Sequence, residues 1–347
     1  MAVAYEHITR NKRRSLLWAA LFPLSFALFL WVGTLGCFVL LAALRYLRRE
    51  NIWVWTDVLR SSFVEAADIW VWLLPLGFAL AAFWAWQALK QGDKIILSCT
   101  GARELPRWEA PDAYELLENL CISGGDFSPR LYVLDDDSLN SFSVGSRPWL
   151  SGVVLSSGLL KKLSRAELEA VLAHELAHIR NYDPRDMSML VMCLGFFTFA
   201  GEYLFFGRDR ENSACFDSGD ALERFSVNPN VLMMYCGAVL MAYGYFLAPL
   251  LRYALSASHE MQADAQAALM TRHPAALRRA LWHIHQDSRL EALDGMSLLG
   301  VMCIEKPSGP ERFWERWCGA GKVHPPLETR MRALNDMDGI FANIPTD

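Results

Sequence analysis

His174 and His178 stand four residues apart, with Glu175 beside the first, in the run Val171-Leu172-Ala173-His174-Glu175-Leu176-Ala177-His178. On a helix, residues at that spacing leave the same face one turn apart. Two imidazoles so placed can share one zinc ion at about 2.0–2.1 Å. Glu175 need not bind the ion. It is left to take a proton from a metal-activated water and later deliver it to a leaving amine. That chemistry is hydrolysis of a peptide bond. A purely structural zinc site has no use for such a base.

A catalytic zinc takes three protein ligands and keeps one position open. The third must be a His, Asp, Glu or Cys from beyond the helix. The segment Ser256-Ala257-Ser258-His259-Glu260-Met261-Gln262-Ala263-Asp264 offers Glu260 and Asp264 at i and i+4, again on one helical face. Glu260 could ligate while Asp264 holds a ligand histidine by its other ring nitrogen.

The elements that must position these residues can be read around them. Ser164 precedes Glu167 by three, the capping-box spacing. Residues 166–179 are rich in helix formers, with an apolar stripe at Leu168, Val171, Leu172 and Leu176, and Asn181 and Pro184 are expected to stop the helix. Upstream, residues 111–121 predict a helix that Pro111 opens and Gly124-Gly125 closes. Three short β-like runs follow at Leu131–Leu134, Phe142–Val144 and Val153–Leu155, separated by Asp135-Asp136-Asp137 and Gly145-Ser146-Arg147-Pro148. A small sheet is expected there.

The rest of the chain points to lipid. Of 347 residues, 53% are apolar and only 20% charged, with 13 Trp and 19 Phe, and mean hydropathy is +0.16. These values exclude a disordered chain, a collagen and an ordinary acidic soluble enzyme. A net charge of −5 gives no basic surface for nucleic acid. Residues 16–44 and 69–89 carry no charge, and each is long enough to span a bilayer core, which takes about 20 apolar residues. Residues 187–206, with Glu202 inside, and 231–251 form a third and a fourth candidate span. The basic residues before the first run resemble the start of a signal peptide, but the apolar stretch is far longer than an h-region, so an uncleaved anchor is expected. Positive charges are nearly balanced between the loops, and parity of the spans is more informative. Two spans return residues 90–186 to the side of the N-terminus, and two more return 256–347. Eight cysteines without a CxxC pair give no disulfide framework, which favours the cytoplasmic side.

Three motifs together resemble the HtpX and CAAX prenyl protease family of membrane-embedded zinc metallopeptidases, of the gluzincin type. They are the His174–His178 motif followed by Asn181 and Asp183, the Glu-x-x-x-Asp of Glu260 and Asp264, and Asn140-Ser141-Phe142-Ser143-Val144-Gly145, which is similar to the family's Asn-Ala-Phe-x-x-Gly strand. The segment His324-Pro325-Pro326-Leu327-Glu328-x-Arg330 also looks like the family's His-Pro-Pro segment. The resemblance runs from about residue 65 to 336 and is closer to the HtpX branch.

The resemblance implies a mainly α, polytopic membrane protein with about four transmembrane helices and an α+β zincin-type metalloprotease domain with a small β-sheet. Residues 1–90 then form an N-terminal membrane region, 91–186 the first part of the protease domain, 187–255 a membrane helix pair and 256–347 the second part. One Zn2+ per chain is implied, bound by His174, His178 and Glu260, with Glu175 as the base and Asp264 behind a ligand. Asn140 becomes a candidate for substrate or transition-state contact, on a strand edge that could take substrate as an added strand. His324 becomes a candidate for polarising the scissile carbonyl. The family usually has arginines just before the glutamate ligand, where this chain has Ala257 and His259.

The expected function is an integral-membrane zinc endopeptidase acting on membrane or misfolded proteins in quality control. The site is expected near the bilayer, in the bacterial inner membrane and facing the cytoplasm. The alternatives are a specific processing protease for lipidated or signal-bearing peptides, and a non-catalytic zinc-binding membrane scaffold. Partners are polypeptide substrates and the lipid bilayer, with no nucleic acid; the oligomeric state is open.

Overall fold

The structure, a computed structural model, describes residues 22–39, 55–189, 191–192, 235–240, 242–243, 258–290, 300, 302–305 and 325–342. Most of the third and fourth expected spans, with Glu202 and His324, lies outside the described residues. The chain divides into two compact units, one made of Leu16–Trp86 and Cys193–Leu247, the other of Met1–Ser15, Gln87–Met192 and Ala248–Asp347.

The first unit holds helix α1 (Phe22–Val39) and the start of helix α2 (Trp55–Thr100). Among the described residues these are the helices long and apolar enough to cross a membrane, with mean hydropathies of 1.9 over Phe22–Val39 and 1.7 over Ala67–Thr100. Helix α2 runs well past the apolar stretch 69–89 at both ends. The charges at Lys90, Asp93 and Lys94 end an apolar run without ending a helix, since lysine propagates helix almost as well as leucine and a single aspartate costs only a fraction of a kcal/mol. Val71, Trp72, Leu76, Leu80 and Phe83 are all exposed on α2. An aqueous surface does not carry such a run, whereas hydrocarbon solvates it.

Contacts inside this unit follow the packing rules of helices in lipid. A Cβ on Gly33 would come within 2.9 Å of Val239 Cγ1, so glycine is what lets the two backbones close. Trp70 Nε1 donates to Thr34 Oγ1 at 2.7 Å, and the Tyr235 hydroxyl donates to the Gly33 carbonyl at 2.7 Å.

The second unit is a mixed α+β assembly. It contains β1 (Arg103–Glu104), α3 (Pro111–Gly124), β2 (Arg130–Leu134), β3 (Ser141–Val144), β4 (Gly152–Ser156), α4 (Ser157–Lys162), α5 (Arg165–Asn181), α6 (Ser258–Thr271), α7 (Pro274–Gln286) and α8 (Leu327–Ala342). The four strands lie in the order β1-β2-β4-β3. The β2–β4 pair is parallel and the outer pairs antiparallel. Strand β1 was not legible in the sequence, because a two-residue exposed strand has no periodicity. Gly145 ends β3 at φ +135°, where a Cβ would meet the Ser151 backbone at 2.6 Å. The motif's last glycine is therefore a backbone requirement.

Helix α5 is the axis of this unit. Glu167 Oε2 accepts the Ser164 backbone N–H at 3.0 Å, closing the capping box. The helix ends at Tyr182 in the left-handed conformation, φ 65°. Pro184 lies inside the next helical stretch, 183–189, so the break is made by Tyr182. Leu168, Val171, Leu172, Leu176 and Ile179 are buried, and so are Ala170, Ala173 and Ala177. A helix buried on nearly all sides must be covered on all sides. Strands β3 and β4 cover one side, and α3, α6 and α7 pack on the others. Helix α6 buries Ala263, Ala267 and Ala268 in turn. Alanines on both helices let the α5 and α6 backbones approach, which is what brings two separate stretches of chain to one point.

Candidate metal centre

His174 and His178 project from α5, and Glu260 from the first turn of α6. The two histidine Nε2 atoms are 3.1 Å apart. Glu260 Oε2 lies 3.6 Å from His174 Nε2, and Glu260 Oε1 lies 3.4 Å from His178 Nε2. Donor atoms around a tetrahedral ion with bonds of 2.0–2.1 Å stand about 3.3 Å from one another. The three side chains thus converge at the spacing that zinc requires, and among the described residues they form the one such His/Cys/Asp/Glu group.

Each histidine is held from behind. Asp264 Oδ1 stands 3.0 Å from His174 Nδ1, and Asp183 Oδ2 stands 2.9 Å from His178 Nδ1. The Asp183 contact is a hydrogen bond, and the Asp264 contact a close ion pair without hydrogen-bond geometry; a carboxylate on the far nitrogen favours the tautomer that leaves Nε2 free to ligate. Asp264 is itself gripped by Arg330 of α8, whose Nε and Nη2 each donate to it at 2.7 Å. Arg330 Nη1 donates to the Ile304 carbonyl at 2.7 Å, and Nη2 stands 3.5 Å from Glu260 Oε2. Asp183 faces His259 instead, with Oδ1 2.8 Å from His259 Nδ1. His259 therefore meets Asp183 beside the ligand set.

The charges make a case of their own. Glu175, Asp183, Glu260 and Asp264 are buried together, with Arg330 as their buried guanidinium. Such an excess of buried negative charge needs positive charge close by. Burial disfavours charge on the imidazoles, yet Asp264 and Glu260 outweigh it and hold His174 above the ordinary imidazole range. Burial is likewise outweighed for His178 by Glu260 and Asp183, which hold it well above that range. Burial would raise Glu260, but His178, His174 and Arg330 keep it well below the usual carboxylate range. Two imidazoles that draw in protons can equally give them up to a divalent cation.

Of the remaining sequence candidates, Asn140 lies among the described residues. Asn140 is only 1% exposed. Its Nδ2 donates to the Ser288 and Glu305 carbonyls at 3.1 and 2.9 Å, and its Oδ1 accepts the Ser141 N–H at 3.0 Å. That amide has both hydrogens on main-chain carbonyls and anchors the start of β3. The expected free edge of β3 is also taken at this end. Phe142 bridges to Cys303, and the Ile304 N–H donates to the Ser141 carbonyl at 2.9 Å. His324 lies outside the described residues.

Three neighbours of the centre carried no assigned role in the sequence reading. Asp183 and Arg330 stand inside the quoted motifs, but their contacts come from the left-handed break at Tyr182 and from α8 and cannot be read from spacing. Ser141 Oγ donates to Glu175 Oε1 at 2.6 Å. Its only signal was a hydroxyl where the related motif has alanine.

Residues 113–338 match Peptidase family M48. The chain belongs to that family, in its HtpX group. A "Protease HtpX homolog" of Bacteroides fragilis is 34% identical over 262 residues, covering 76% of this chain and 80% of the relative. Its namesake in Dictyoglomus thermophilum is 30% identical over 339 residues, covering 96% and 94%. The solved structure of S. mikatae Ste24p aligns at 19% identity and a TM-score of 0.37 over 76% of this chain and 64% of that one, a likeness too slight to carry the fold. As an M48 peptidase of the HtpX group, the protein is a membrane-bound metallopeptidase, a hydrolase of peptide bonds. The His-His-Glu convergence lies within the matched residues.

Proposed function

We propose that this M48 peptidase holds one zinc ion per chain on His174, His178 and Glu260 and uses Glu175 as its general base. The observation that carries the reading is a division of labour among buried carboxylates. Glu260 sits within reach of both histidine Nε2 atoms, while neighbouring Glu175, 1% exposed, stays out of that triangle. When bound, zinc would supply Lewis acidity toward the water and the scissile carbonyl. Glu175 accepts the proton from the attacking water and hands it to the departing amine. Asp264 and Asp183 hold the two imidazoles in the ligating tautomer while this happens. His324 is the proposed donor to the developing oxyanion.

Polypeptides are the substrates of a peptidase. Membrane proteins and their unfolded segments are the proposed class, and quality control the proposed role. Support comes from the chain's own bilayer-type helices, which hold the peptidase where such substrates are. Four spans in the bacterial inner membrane, with the centre facing the cytoplasm, complete the proposal. A narrow processing role and a silent scaffold are the competing readings, and the presence of Glu175 counts against the scaffold.

The test is casein hydrolysis by detergent-purified protein, after chelation and after zinc is returned, with Glu175→Gln beside it. Cleavage should vanish on chelation, return with zinc, and fall by about 10²–10⁴-fold in the variant. A variant as active as the parent would sink the assignment of the base. Cleavage confined to one peptide type in a panel of unfolded proteins would favour the processing protease.

A further inference from the structure

We infer that Ser141 is a positioning residue for Glu175, fixing which carboxylate oxygen faces the reaction. The inference rests on the proposed reading of Glu175 as base.

Ser141 is itself held at nearly every backbone atom. Its N–H donates to Asn140 Oδ1, its carbonyl accepts the Ile304 N–H, and it pairs across the ladder with Leu155 of β4. Asn140 is pinned in turn to Ser288 and Glu305. Ser141 and Glu175 are each 1% exposed, so water does not compete for either side chain. From this fixed mount the hydroxyl donates to Glu175 Oε1 at 2.6 Å, within the range of a charge-assisted O–H···O⁻ bond.

A glutamate has three side-chain torsions, and a base must present its lone pair within hydrogen-bond reach of the proton it takes. One fixed donor on Oε1 removes most of that freedom. It commits Oε1 to the serine and leaves Oε2 as the oxygen that accepts and returns the proton. The Ser141 hydroxyl is bonded to Glu175 and is not one of the three converging donors. It acts through Glu175, and does so where the similar family motif, Asn-Ala-Phe, has no hydroxyl to offer.

The test uses the full chain in detergent, with Ser141→Ala, Ser141→Thr and Glu175→Gln. Ser141→Ala is expected to lower kcat about tenfold, the scale of one hydrogen bond to a charged group, with a modest fall in Tm from the lost buried bond and with KM and zinc affinity unchanged. Ser141→Thr keeps the hydroxyl and should recover most of kcat. Infrared difference spectra of the metal-stripped protein give a readout apart from activity. A carboxylate band that Glu175→Gln removes should be displaced in Ser141→Ala and return to place in Ser141→Thr. An unchanged kcat and band in Ser141→Ala would overturn the inference. So would a loss that travels with lowered zinc affinity and that threonine does not restore. Glu175→Gln separates the two levels: an active Glu175→Gln sinks the general-base reading itself, whereas an inactive one beside a fully active Ser141→Ala sinks only the role of Ser141.

Discussion

The two proposed ligand histidines sit one turn apart on the same helix, yet they are backed in unlike ways. His174 leans on Asp264, which is locked by two hydrogen bonds from a fully buried arginine. His178 leans on Asp183, which is shared with a second imidazole, His259, at the rim of the site. One support is an ion pair drawn from α6 and α8, and the other a His–Asp–His chain drawn from the end of α5 and the start of α6. A charged, bidentate and desolvated pair holds its members far more firmly than a carboxylate shared between two rings. The carboxylate behind His174 is therefore the more firmly anchored of the two, and that behind His178 the shared one.

Arg330→Met should have the largest effect on this asymmetry. It strands the Asp264 and Glu260 carboxylates in the interior, a loss of about 3–5 kcal/mol. Thermal unfolding and bound zinc should both report it, and a stable variant with full zinc would show that the ion pair is dispensable. Next come the two aspartates. Asp264→Asn should weaken zinc binding about 100-fold and Asp183→Asn about tenfold, at the two ends of what losing a supporting carboxylate costs. Competition with a chromogenic chelator measures both, and equal losses would erase the distinction.

His259 should matter less again. His259→Ala is expected to weaken zinc binding by no more than about threefold, and His259→Arg, which restores the charge usual in the family, to leave it unchanged, because Asp183 keeps its hold on His178 in either case. A tenfold loss in the alanine variant would make His259 an equal partner.

The smallest expected effect is in pH. His174 and His178 are held above the ordinary imidazole range in the folded protein. A raised pKa contributes stability that is complete below about 6.5, the unfolded value, and is lost as pH rises through the folded value. Metal-stripped protein should thus lose stability from pH 6 upward. Zinc-loaded protein should show the opposite slope, because zinc displaces those protons. Parallel slopes in Tm would contradict the charge balance described for the site.

Much of this centre is legible in the sequence because helices turn spacing into direction. His174 with His178, and Glu260 with Asp264, announce themselves by i and i+4 placement. The strands near 131, 142 and 153 show through as β-branched and aromatic runs between turn residues. What spacing does not reveal is which distant segment arrives behind a ligand. Asp183 reaches His178 only because Tyr182 takes a left-handed turn at the helix end. Arg330 reaches Asp264 from a helix more than 60 residues later in the chain. Asn140 reads as a cleft residue by its motif, and its saturated amide is visible only once Ser288 and Glu305 are in place. The apolar run 69–89 likewise measures a length of hydrocarbon and says little about where helix α2 stops.

The buried guanidinium on α8 also sets a clock. His174, Glu175 and His178 leave the ribosome more than 150 residues before Arg330 does. Until α8 emerges and docks, Asp264 has no counter-charge and one side of the centre has no anchor. The supporting shell of the centre is therefore complete only when the last described helix has been made.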